Sequence, residues 1–165
     1  MNRFVVAAVA AAFALSPLAV MGQAPAPPPP YGVGISFDAA KKALAAAEAE
    51  AKKNNWAVAI AIVDSSAKLA AFSKAEGTQH ASVDIAIGKA VTANNFRRPT
   101  KALQDGIAQG GVGLRILGLP GVTPLEGGVP IVVDGKIVGA IGVSGVMSNQ
   151  DAEVAMAGAA AAAAK

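Results

Sequence analysis

Few side chains in this 165-residue sequence are equipped for chemistry. There is one histidine, His80, and no cysteine. Without cysteine there are no disulfides, thiolate metal sites, thiol nucleophiles or C-x-x-C-H haem attachment. His80 ends a polar loop, Glu76-Gly77-Thr78-Gln79-His80, at the start of a helix. It reads either as a solvated loop histidine or as a donor to a metal carried by a ligand. Arg97 and Arg98 stand together at a helix end. They either complement the helix dipole or grip a carboxylate with forked hydrogen bonds. Lys89 lies on the same helix, five residues after Asp84, a spacing at which the two do not face each other. Its expected partner is Glu126, in a buried pair at a pocket rim that is structural first and functional second. Glu126-Gly127-Gly128 follows Pro124 in a rigid turn, one carboxylate beside bare backbone. Its N–H groups suit an anion, and Glu126 could act as an acid or base. His80 has no neighbouring nucleophile motif or orienting acid in the sequence. No two-histidine or acid-rich spacing marks a metal site. Gly110, Gly111 and Gly113 lack the lysine of a P-loop and the βαβ frame of a dinucleotide fold.

These residues must be placed by a scaffold centred on residues 119–145. Asp134-Gly135 between two apolar runs signals a two-residue hairpin turn, because type I′ needs positive φ at both positions. Strands are expected at 129–133 and 136–144. In the second, Ile137, Gly139, Ile141 and Val143 share one face; Val138, Ala140, Gly142 and Ser144 share the other. The latter face is small, so another element can approach it closely. A first hairpin is expected from 56–64 and 69–73. Ser36 caps a helix reaching 53, with Phe37, Ala40, Leu44 and Ala47 on one stripe. Further helices are expected at 82–95, with Val83, Ile87, Ala90, Val91 and Asn94 on one side, and at 101–108, capped by Thr100. A short strand is expected at 114–117. The last helix runs from 148 to about 163, with Ser148 as cap and Asp151 three residues on, in the form of a capping box. Tight turns imply antiparallel pairing, and strands apolar on both faces must be covered by helices. This is an α+β layered domain of about five strands.

Residues 1–22 read as a signal peptide, with a basic start and an apolar run too short to span a membrane. Residues 23–34 are a Pro-rich linker, stiff as polyproline II. Residues 35–165 form the domain. A periplasmic or secreted location follows. The net charge is +3, and removing the leader leaves 13 basic against 11 acidic residues. That balance is too even to argue for nucleic acid. Charged residues make up only 15%, so some surface is expected to be covered in a homo-oligomer.

Several segments taken in order resemble the GlcG/HbpS family of haem-binding or haem-degrading-like domains. They are Val63-Asp64 leading to Leu69-Ala70-Ala71-Phe72, then Ser82-x-Asp84-Ile85-Ala86-x-x-Lys89-Ala90, and Arg98-Pro99-Thr100. Leu119-Pro120-Gly121, Leu125-Glu126-Gly127-Gly128-Val129-Pro130-Ile131 and Val138 to Gly145 follow. The resemblance implies a profilin-like α/β/α sandwich with an antiparallel sheet, assembled as dimers or higher oligomers, and binding of haem.

Haem needs an apolar slot, cations for its propionates and usually an axial donor. The candidate donors are His80, Met147, Met156, Tyr31 and Lys89. The candidate binding set is His80, Lys89, Arg97, Arg98, Glu126, Gly127 and Gly128, for haem or another small acid. The leading expectation is an exported small-molecule-binding protein, acting in haem binding, storage or redox sensing rather than turnover. One alternative is an enzyme degrading haem or acting on a small organic acid, with Glu126, Lys89 and Arg98 around a pocket. The other is an oligomerisation module without a specific ligand.

Overall fold

A computed structural model describes residues 26–164. Helix α1 (Phe37–Lys53) starts at Ser36, whose hydroxyl accepts from the Ala39 N–H at 3.3 Å. Strands β1 (Ala59–Asp64) and β2 (Leu69–Lys74) follow, then α2 (Ser82–Phe96) and α3 (Lys101–Ala108). A 3-10 helix (Gly111–Gly118) leads to β3 (Gly128–Val133), β4 (Lys136–Ser144) and α4 (Ser148–Ala163). The β3–β4 turn has φ of 47° at Asp134 and 74° at Gly135, the positive pair that a type I′ turn requires.

The sheet has four strands, ordered β2-β1-β4-β3 and antiparallel throughout, one fewer than expected. The missing strand is the one assigned to 114–117, which is 3-10 helix. Its approach runs through Gly110 and Gly111, both at positive φ. A Cβ on Gly113 would strike the Gly106 carbonyl, so the segment packs backbone to backbone on α3 rather than joining the sheet. The Pro-rich segment ends against the sheet instead. Tyr31 bridges Ile137 in parallel, and the Ile35 N–H donates to the Val138 carbonyl at 2.7 Å.

Helices cover both faces. On one, Ala40, Ala43, Ala47 and Ala51 of α1 and Val154 and Ala155 of α4 pack on Ile60, Ile62, Ile141 and Val143. On the other, Ala86, Ala90 and Ala93 of α2 pack on Ala59, Ala61, Val63 and Ala140. The inner stripes are thus alanine stripes. Phe37 lies outside, under the Lys41 ammonium at 4.8 Å, and Ile87 and Val91 only flank their core. The reason is close approach. A Cβ on Gly142 would meet the Ala86 carbonyl and the Ala90 nitrogen, so α2 rests almost on the β4 backbone and only small side chains fit between. The small face of β4 was read for this role. Among the described residues no helix is long and apolar enough to cross a membrane. Residues 1–22 and the first part of the linker lie outside the described residues.

Candidate functional site

Lys89 is 2% exposed and does not reach Glu126. Its Nζ donates to Asp151 Oδ2 at 2.7 Å and to the Val143 carbonyl at 2.9 Å. Asp151, equally buried, is in the first turn of α4 and also accepts from the Val146 N–H at 3.2 Å. Met147 and not Ser148 caps that helix, with Gln150 Oε1 accepting the Met147 N–H. Burial pushes the Asp151 carboxyl above its ordinary value, against the hydrogen bond and charge of Lys89. The pair joins α2 on one face of the sheet to α4 on the other. It can do so because Gly127, just before β3, and Gly128, at its start, leave room for it. A Cβ on Gly127 would lie 2.8 Å from Lys89 Nζ and 2.9 Å from Asp151 Cβ. Gly127 is held at φ 122°. A Cβ on Gly128 would meet the Lys89 carbonyl and Thr100 Cγ2. Thr100 begins α3, but its hydroxyl does not cap the helix; it accepts the Gly128 N–H at 2.9 Å.

Lys89, Gly127 and Gly128 therefore come together as a closed structural knot. Glu126 is half-buried next to it and belongs to a different neighbourhood. Its N–H donates to Gln104 Oε1 at 2.8 Å. Its charge acts on Lys101, whose ammonium is stabilised first by a hydrogen bond to Asp105.

Arg98 leads to an open cleft of ≈ 460 Å³. Its walls are Phe96, Leu103, Ile116 and Leu119, and its cations are Arg98 and Arg115. Arg98 Nε donates to the Phe96 carbonyl at 3.1 Å, which leaves the terminal nitrogens available. Arg115 is exposed on the 3-10 helix and has no hydrogen bond or ion pair among the described residues. Two guanidinium groups above apolar walls can hold an amphipathic molecule that carries carboxylates. Arg115 was not singled out from the sequence. Its signal was a lone cation inside the apolar run Val112 to Leu117, and reading that run as a strand hid its position.

The remaining candidates stand apart. Arg97 is the left-handed residue ending α2. Its guanidinium lies over the Tyr31 ring at 5.7 Å, and it donates to the Pro29 carbonyl. The Tyr31 hydroxyl donates to the Asn94 carbonyl at 2.9 Å, so both residues clasp the linker to the domain. His80 is exposed just before α2. The 15 residues of α2 separate it from Arg98 by roughly 22 Å at about 1.5 Å per residue. A second cavity of ≈ 490 Å³ lies beside Trp56, rimmed by Glu48, Lys52, Lys74 and Glu76. Its mixed charge makes no anion site, and no candidate residue lines it. Among the described residues no cluster of His, Asp and Glu could hold a metal ion.

Comparison with known proteins points to one group. Residues 35–160 match the model of a family described as haem degrading protein HbpS-like. Protein GlcG of Escherichia coli K12 is 43% identical over 92 residues, which cover 56% of this chain and 67% of GlcG. HbpS of Streptomyces reticuli, solved as a double mutant, superposes with a TM-score of 0.72 at 31% identity, covering 92% of this chain and 97% of that one. A structure described as a PduOC:heme complex gives a TM-score of 0.71 at 27% identity, covering 78% and 95%.

Proposed function

The chain belongs to the HbpS-like family, and from that membership we propose that it is a small-molecule-binding protein whose ligand is haem, held in the Arg98–Arg115 cleft. The observation that carries the reading is the pairing of apolar walls with two arginines in one open cleft. The fit to the group is good where the porphyrin is concerned. Phe96, Leu103, Ile116 and Leu119 offer the slot, and Arg98 and Arg115 offer cations for propionates. Haem, when bound, brings a redox-active iron. The residues of the chain bind and orient it. Binding rather than turnover is favoured because, among the described residues, no acid, base or nucleophile lines the cleft, and Lys89 is enclosed with Asp151.

Export is part of the proposal, supported by the basic and apolar start of the sequence and by the Pro-rich spacer. Assembly of several copies is supported by Val112, Leu114 and Leu117, which stand exposed on the 3-10 helix, and by the low charged fraction. Titration of the purified protein with hemin tests the central reading. A saturable Soret change at micromolar hemin is expected, weakened about tenfold by R98E, the scale of one charge-assisted hydrogen bond. A spectrum that stays that of free hemin refutes it.

A further inference from the structure

The cleft holds cations for carboxylates and nothing for iron. Among the described residues, its lining contains no histidine, methionine, tyrosine, lysine or carboxylate. Arginine remains protonated and has no lone pair to give. Among the described residues, the candidate donors are committed or lie outside the lining; Met147 and Met156 are exposed at the cap and in the body of α4, and neither lines the cleft. Lys89 is closed in with Asp151, and the Tyr31 hydroxyl donates to Asn94. His80 lies beyond the far end of α2. The two guanidinium groups, by contrast, reach the cleft from separate elements, Arg98 from the turn after α2 and Arg115 from the 3-10 helix. Backbone anchoring of Arg98 through Nε leaves its outer nitrogens for a ligand.

We infer that recognition in this cleft is carried by the carboxylates and the apolar face of the ligand, and that iron adds nothing to affinity. The ligand class is an amphipathic tetrapyrrole dicarboxylate, with or without a metal, and Arg115 is a specificity-determining residue alongside Arg98. The inference rests on the cleft being the haem site proposed above, and it goes further by naming what is recognised.

Titration of the full chain with hemin, metal-free protoporphyrin IX and protoporphyrin dimethyl ester separates the cases. Hemin is read by its Soret band and the other two by porphyrin fluorescence. Hemin and protoporphyrin IX are expected to bind within about threefold of each other. The ester, which lacks the charge that two arginines would grip, should bind at least tenfold more weakly. R98Q and R115Q should each weaken both free acids about tenfold and leave the ester unchanged. H80A should change neither the affinity nor the hemin spectrum. Hemin binding more than tenfold tighter than protoporphyrin IX, or an H80A variant with an altered hemin spectrum, overturns the inference while sparing haem binding. If neither acid binds, the haem reading and this inference fall together. Arg98 and Arg115 are on the surface, so their variants should keep the wild-type circular dichroism, and a lost affinity then reports recognition.

Discussion

Replacing Asp151 with Asn should be among the most damaging single changes in this protein, although Asp151 lies away from the cleft. At 2.7 Å and an effective dielectric near 20, the attraction between Lys89 and Asp151 is on the order of 6 kcal/mol. Most of that only offsets the removal of both groups, each 2% exposed, from water. Removing one partner is different, because the other charge stays buried without compensation. The expected loss is about 3–5 kcal/mol. Against a typical total of about 5–15 kcal/mol, that is a large share of stability. It corresponds to a fall in Tm of about 10–20 °C for a domain of this size. Urea unfolding followed by circular dichroism measures it, with K89M, D151L and the double variant K89M/D151L forming a closed cycle. The double variant should recover to within about 2 kcal/mol of the natural protein, since the backbone groups left without this partner are the Val146 and Gly145 N–H and the Val143 carbonyl. Hemin affinity should not change in any variant that remains folded. A D151N loss below about 1 kcal/mol would refute the reasoning, and so would a folded D151N that no longer binds hemin.

Three further outcomes follow from the packing and the charges. G142A drives a methyl into the Ala86 carbonyl and should cost about 1–3 kcal/mol by pushing α2 off the sheet, read as a lower urea midpoint. Y31F removes the hydrogen bond to the Asn94 carbonyl and should cost about 0.5–1.5 kcal/mol without altering the cleft; thermal unfolding that is unchanged would show that the clasp contributes nothing. Asp38 and Glu50 have lowered pKa values, chiefly through hydrogen bonds from Lys41 and Lys53. Their unfolded forms bind protons first on acidification, so the stability they add is present above their ordinary values of 3.8 and 4.5 and is lost as pH falls through the folded values. A D38N/E50Q variant should therefore show a shallower loss of stability between neutral and acid pH, and urea midpoints across that range measure it.

Asp134-Gly135 announced its turn because positive φ is a demand two residues can meet alone. Ser36 announced a helix start because its hydroxyl needs only the N–H three positions on. The closeness of α2 to β4 was legible in Ala140, Gly142 and Ser144. The partner of Lys89 was not. Glu126 was the expected partner, and Asp151 looked only like an ordinary acid at a helix start. Only the passage beside Gly127 and Gly128 decides that Lys89 reaches across the sheet to α4. Likewise the apolar run around Arg115 has strand-like composition. It is 3-10 helix because Gly113 must lie against the Gly106 carbonyl, and that contact depends on where α3 ends in space.

The sequence by itself determined the turns, the start of α1, the antiparallel pairing and the family. Each of these is written in preferences that act over a few neighbouring residues, or in motifs that keep their order. The tertiary structure alone decided which charges pair and which remain available. Lys89 was taken into the interior, Arg97 into the linker clasp, and Arg98 was brought beside Arg115. The physical reason is that a charged side chain goes where its burial is compensated, and compensation depends on the distance between elements remote in the chain.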